Sequence, residues 1–219
     1  MLLYHFTSLY HLRGISQYGL TVGDIPTDID RFKGRIGVWL TSSPTPDGHG
    51  LGGGLSNKKG FRLLVDVPEE GALKKWSEWA PGKVTERTLK ALRTADGFKE
   101  NDFYVYFGWL VPERILDVVD VASGMSVPKW GTLIPETVCL PGVPFGERRR
   151  WQKRMLKTVR EACGEGGKQE RDHRARSRRR VASVPPDIPS SLNPPQINKA
   201  IESRQPDVGN AQSLRQYWL

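Results

Sequence analysis

Cysteine is nearly missing. The 219 residues hold only Cys139 and Cys163. That excludes a disulfide scaffold and a four-cysteine zinc site, and the simplest expectation is a reducing, cytoplasmic setting. Long apolar runs are missing as well. No stretch approaches the roughly 18 apolar residues that a membrane-spanning helix needs, so no membrane span is expected. The opening Met1-Leu2-Leu3-Tyr4-His5-Phe6 has no basic region ahead of a long apolar core, and it does not read as a signal peptide. Apolar residues are few overall, at 37%. A globular chain carries roughly 45–50% on a count that includes Gly. Four histidines, His5, His11, His49 and His173, have no metal-ligand spacing, so no metal is expected. The glycine-rich stretch Gly48–Gly54 lacks the Lys and hydroxyl of a phosphate-binding loop and reads as a flexible flap. No internal repeat is visible.

Charge is present, and it is uneven. Residues 1–145 hold 16 Lys/Arg against 16 Asp/Glu, while residues 146–219 hold 17 against 8 and carry the whole net charge of +9. The division predicts a neutral body over 1–145, a basic amphipathic helix over 146–164, and a basic, Pro-rich tail over 165–219. In the helix, Trp151, Met155 and Val159 recur at i, i+4, i+8 on one face, and Gly164 closes it. The tail holds Arg174, Arg176, Arg178, Arg179 and Arg180, then Pro185, Pro186, Pro189, Pro194 and Pro195. Such a segment buries too little apolar surface to offset its ordering entropy, and disorder is expected from about residue 165. The final Gln216-Tyr217-Trp218-Leu219 reads as an exposed aromatic end.

The body reads as α+β. Leu2–Phe6 is an apolar run and a first strand. Ser8 is a good N-cap, Leu9, Leu12 and Ile15 follow at helical spacing, and Gly19 stops the helix. Asp24 to Arg35 is polar and reads as a loop. Strands are expected over Gly37–Thr41, Phe61–Val67, Phe103–Phe107 and Arg114–Val121. Thr85 caps a helix to about Thr94. Short edge strands are expected at Leu133–Ile134 and Thr137–Leu140, and a long loop over Ser42–Gly60.

Chemistry concentrates at three places. In Tyr4-His5-Phe6-Thr7-Ser8, a histidine ends a strand, and a hydroxyl lies two residues on, pointing to the same side. A neutral imidazole beside a hydroxyl suits recognition of a ribose diol. The competing reading is a satisfied core histidine and a helix cap. The second place is Gly37-Val38-Trp39-Leu40-Thr41-Ser42, where Trp39 is either core or a ring beside a ligand. The third is Asp102-Phe103-Tyr104-Val105-Tyr106-Phe107, a carboxylate at the head of a strand, with Glu100 two residues upstream. A solvent-facing turn is the alternative for either acid. Trp76, Trp79 and Trp109 are better placed as packing than as pocket lining.

These three segments, in this order, resemble the ADP-ribosyltransferase fold superfamily. The opening is similar to those of the DNA-modifying toxins called DarT and of the RNA 2′-phosphotransferases, where a helix and a Gly-Leu also follow. The resemblance covers residues 1 to about 122. It implies a split β-sheet body with flanking helices and an enzyme that takes NAD as substrate. His5 would contact the nicotinamide-side ribose and the backbone of Phe6 would clamp the carboxamide, with Thr7 beside the ribose. Trp39 would stack on the nicotinamide, and Thr41 and Ser42 would support the site. Asp102 or Glu100 would stabilise the oxocarbenium ion formed as nicotinamide leaves, an electrostatic task shared with glycoside hydrolysis. Many members have Gly at the position of Phe6 and Glu at that of Asp102.

The implied function is ADP-ribosyl transfer to a macromolecule, by a toxin or a mobile-element effector. Residues 146–180 would reach nucleic acid or an acidic protein. Two other readings stand beside it. An RNA 2′-phosphotransferase-like enzyme would need arginines near the motifs, for which Arg13, Arg31 and Arg35 are candidates. A non-enzymatic nucleic-acid-binding protein would keep the scaffold without the chemistry.

Overall fold

The computed structural model describes residues 1–48, 57–94, 99–133 and 140–161. Among them the chain is α+β, with one antiparallel sheet, a hairpin and four helices. β1 (Leu2–Thr7) runs through Ser8 into α1 (Leu9–Tyr18), and Leu12 and Ile15 are buried at helical spacing. Gly19 ends α1 at φ 74° and donates its N–H to the Ile15 carbonyl at 2.7 Å. A Cβ there would run into the Leu110 carbonyl oxygen, so both the left-handed angle and the close approach demand glycine. Ser8 holds the N-cap position, but its hydroxyl makes no cap bond. It lies 2.8 Å from His11 Nδ1 instead.

The stretch expected as a polar loop from Asp24 to Arg35 is a hairpin, β2 (Asp24–Asp28) and β3 (Lys33–Ile36). Asp, Pro and Gly are poor strand formers, and tertiary contacts override them here. Ile25 is fully buried, Thr85 N–H donates to the Thr27 carbonyl at 2.9 Å, and Ile29 N–H donates to Thr88 Oγ1 at 3.1 Å. The chain continues through β4 (Val38–Thr41), β5 (Phe61–Asp66), β6 (Leu73–Lys75), α2 (Trp76–Trp79), α3 (Glu86–Arg93), β7 (Phe103–Tyr106) and β8 (Ile115–Asp120). Neither β6 nor α2 follows from the sequence pattern. Thr85 caps α3 as expected, accepting the Thr88 N–H. Of the expected edge strands, Leu133 follows a 3₁₀ turn and Leu140 is in no strand. Residues 134–139 lie outside the described residues.

The six-stranded sheet has the order β6-β7-β4-β1-β5-β8. β1 pairs with β5 along its whole length, from Leu2↔Asp66 to Thr7↔Phe61. Its ladder with β4 is reduced to one registered pair, Tyr4↔Thr41. The sheet is therefore two three-stranded halves joined at a narrow seam. Alternation along the strands sends side chains to two cores. Val38 and Leu40 of β4 pack with Leu3, Leu12, Ile15 and Leu63 beneath α1. Trp39 packs the other way, against Trp76, Leu89, Leu92, Phe103 and Val105, beneath α2 and α3.

After a 3₁₀ turn at Phe145–Glu147, α4 covers residues 148–161. Its apolar stripe faces the body: Val159 is fully buried, and Trp151 and Met155 are half-buried. Gln152 Nε2 donates to Asp24 Oδ1 at 3.1 Å, Arg148 donates to the Gly108 carbonyl at 3.2 Å, and the Arg160 guanidinium sits 5.6 Å from the Phe32 ring centroid. Cys139, Cys163, His49, His173, Gly164, most of the glycine stretch and the tail to residue 219 lie outside the described residues. No helix among the described residues is long and apolar enough to cross a membrane.

Candidate active site

The narrow seam between β1 and β4 opens onto a cavity of about 560 Å³. Its walls are α1, the segment 19–24, the segment 140–144 and one face of α4. Glycine makes the close approach of two walls possible. A Cβ on Gly14 of α1 would stand 2.5 Å from the Gly142 Cα. Thr21 fastens the same segment by donating its hydroxyl to the Val143 carbonyl at 2.5 Å.

His5 sits where the β1–β4 ladder gives out. Its Nδ1 lies 2.9 Å from the Trp39 carbonyl oxygen. A carbonyl only accepts, so Nδ1 carries the proton and the neutral ring keeps Nε2 as an acceptor. Burial lowers the His5 pKa, the bond to Trp39 opposes that shift, and the Lys58 charge adds to the lowering. Tyr4, Phe6, Thr7, Trp39 and Thr41 line the same cavity. Phe6 and Thr7 are buried. The Thr41 hydroxyl accepts the Ser43 N–H at 3.0 Å. The Trp39 indole N–H donates to the Asp24 carbonyl at 3.1 Å, and its ring lies 4.7 Å from Trp76 and 5.9 Å from Phe103. It thus serves as both core and cavity wall.

Ser42, Glu100 and Asp102 do not line the cavity. Asp102 directly precedes the lining residue Phe103, and the Asp102 carbonyl accepts the Ser42 N–H at 2.9 Å. Glu100 turns away and takes a bidentate pair from Arg93, at 2.9 and 3.0 Å. The arginines named for phosphate chemistry are elsewhere. Arg13 is exposed, Arg31 pairs with Asp28 at 3.7 Å, and Arg35 lines a different cavity.

The cavity also holds groups that no sequence motif singles out. His11 and Lys58 lie close enough to His5 for their charges to act on one another. Burial, then Lys58, then His5 lower the His11 pKa to about 4, and burial lowers that of Lys58. Lys58 makes no ion pair with a described residue. Asp24 forms part of another wall. Burial raises its pKa to about 7, against the opposing effect of the Gln152 bond. Its Oδ2 has no hydrogen-bond partner, which fits a protonated carboxyl. One of these was visible in outline, since Ser8 and His11 share a turn of a predictable helix. Lys58 and Asp24 reach the site only through tertiary packing.

The cavity joins a half-buried polar end, where Lys58 is the cation beside the neutral His5 and His11 rings, to an aromatic wall at Tyr4, Phe6 and Trp39. That combination favours an anionic ligand with a flat ring. Among the described residues, no cluster of His, Cys, Asp or Glu is placed to hold a metal ion. Comparisons with protein-family models, curated proteins and solved structures return no match.

Proposed function

We propose that the chain is an NAD-dependent ADP-ribosyltransferase acting on a macromolecule, with an ADP-ribosyltransferase-like split sheet. The observation that carries this reading is the adjacency of β7, β4 and β1 in the sheet, with the His5 imidazole bonded to the Trp39 carbonyl at the seam. Two of the three chemistry-bearing segments, at His5 and at Trp39, thereby line one cavity, which the third reaches through Phe103. Its volume of about 560 Å³ falls within the roughly 300–1,000 Å³ of small-molecule sites.

His5 Nε2 accepts a hydrogen bond from a ribose hydroxyl, with Thr7 beside it. The Phe6 backbone holds the carboxamide. Trp39, fixed by its bond to Asp24 and by Trp76, forms a rigid wall for the nicotinamide. Lys58 supplies the cation that a dinucleotide's phosphates need, and the neutral His11 ring stands beside it. In the reaction the N-glycosidic bond breaks, nicotinamide leaves with the bonding pair, and the acceptor's nucleophile bonds the ribose carbon and gives up its proton. Asp102, one residue before the lining Phe103, is the carboxylate assigned to the developing positive charge in this reading, and it must turn toward the cavity to serve. Glu100, held by Arg93, is the second choice.

The test is nicotinamide release from NAD in the presence of single-stranded DNA, RNA or protein acceptors. Release by the parent, lost in His5→Ala and Asp102→Ala, is the expected result. No release and no NAD binding by the parent would overturn the reading.

A further inference from the structure

α4 has two working faces. Glu147, Trp151 and Arg154, on or just before it, line the cavity described above. Arg148, Arg149 and Lys153 line a second cavity of about 390 Å³ on its other side, together with Arg35 of β3 and Phe107. Four cations converge there and no carboxylate lines the space. None of the four makes an ion pair with a described residue. Arg150, one position on, is by contrast neutralised by Glu147 at 3.2 Å. Like charges brought together without a counter-charge raise the energy of the free protein, and an anionic ligand removes that cost.

Two of these cations are held in place. The Arg35 guanidinium lies 4.2 Å from the Phe107 ring centroid and 5.7 Å from that of Trp79. Arg148 lies 4.3 Å from the Phe145 centroid and donates to the Gly108 carbonyl. Phe145 in turn stacks on Trp109, with centroids 5.4 Å apart and planes 21° from parallel. Trp109 and Phe145 are 44% and 45% exposed, and the indole N–H of Trp109 donates to the Tyr18 carbonyl at 2.7 Å. The result is a fixed, exposed aromatic pair that continues through Arg148 into a cationic cavity.

We infer that this surface binds single-stranded nucleic acid, with backbone phosphates at Arg35, Arg148, Arg149 and Lys153 and an unstacked base on the Trp109–Phe145 pair. Cationic grooves beside aromatic platforms are what unpaired strands require. A duplex has phosphates but keeps its bases stacked on one another. An acidic peptide uses the cations and leaves the aromatic pair idle. The inference deepens the proposed transferase reading by naming the acceptor class, and to that extent rests on it. Binding at the surface is tested without NAD, so the two fail separately.

The experiment is fluorescence anisotropy of the full chain with a labelled single-stranded oligonucleotide, its duplex and poly-glutamate, over a range of salt. The parent binds the single strand tightest. Trp109→Ala weakens that binding roughly tenfold at an unchanged salt slope, and Trp109→Phe largely restores it. The exposed pair Arg149→Ala/Lys153→Ala lowers the salt slope by roughly 1.4, about 0.7 for each single-strand phosphate left without its cation. Equal affinity for the duplex or for poly-glutamate would overturn the inference. So would parent-like binding by Trp109→Ala and the double variant, since the basic tail would then carry it.

Discussion

Replacing His5 removes two things at once. The imidazole N–H that satisfies the Trp39 carbonyl is lost, and so is the acceptor nitrogen that the proposed function assigns to a ribose hydroxyl. His5→Ala should therefore lower stability by about 1–3 kcal/mol, the cost of an unpaired buried carbonyl. It should also abolish NAD turnover. His5→Asn, which can still donate to Trp39, should recover most of the stability and little of the turnover. Thermal melts and nicotinamide release on the two variants separate the roles.

Asp24 makes a pH prediction with a definite sign. Its folded pKa, about 7, stands above its ordinary value of 3.8. Its contribution to stability is thus full below 3.8 and lost as pH rises through about 7, on the order of 1 kcal/mol per pH unit across that window. His11 works the opposite way. Its folded value of about 4 lies below its ordinary 6.5, so its contribution grows as pH rises between them. The parent's melting profile blends both. Subtracting it from that of Asp24→Asn isolates the carboxyl. The Tm difference should climb in favour of the variant from pH 4 to 7 and then level off. A difference constant with pH would contradict the raised value.

At the scale of elements, the cavity depends on close packing of α1 against residues 140–144. Gly14→Ala places a methyl group 2.5 Å from the Gly142 backbone, where no flexible side chain can give way. It should cost about 1–3 kcal/mol and weaken ligand binding in proportion as the wall moves out. At α3, Thr85→Ala removes the cap and should cost about 1 kcal/mol without touching the cavity. Denaturant melts of both, with NAD titration, check the contrast.

What could be read from the sequence follows the same division. β1, α1 and the stop at Gly19 are legible because an apolar run, helical spacing and a cap residue are local signals. The cap at Thr85 and the strands at Phe61 and Phe103 are legible for the same reason. The β2–β3 hairpin is not. Asp24, Pro26 and Gly34 argue for a loop, and only the burial of Ile25 and the bonds from Thr85 and Thr88 make it a pair of strands. α2 is a single turn whose place is set by Trp76 in the core. At the site, His5, Thr7 and Trp39 stand on predictable strands. Lys58 and Asp24 belong to segments with no pattern of their own, and their neighbours are remote in the chain.

At the scale of the whole molecule, the balanced body and the basic segment are one packed unit as far as residue 161. α4 walls the cavity with one face and carries the cationic surface on the other. Gln152 on that helix ties it to Asp24. Gln152→Ala should loosen this tie, and the effect should be larger at pH 8 than at pH 5, since ionised Asp24 then loses a donor. Hydrogen exchange along α4 at the two pH values reads that difference.

The proposed function requires β1, β4 and β7 to seat NAD together. Its most direct measurement is calorimetric titration of NAD into the full chain and into His5→Asn, which preserves the donor to Trp39. The proposed function predicts saturable one-site binding by the parent and its loss in the variant. Absence of binding by the parent, or equal affinity in both, would contradict it.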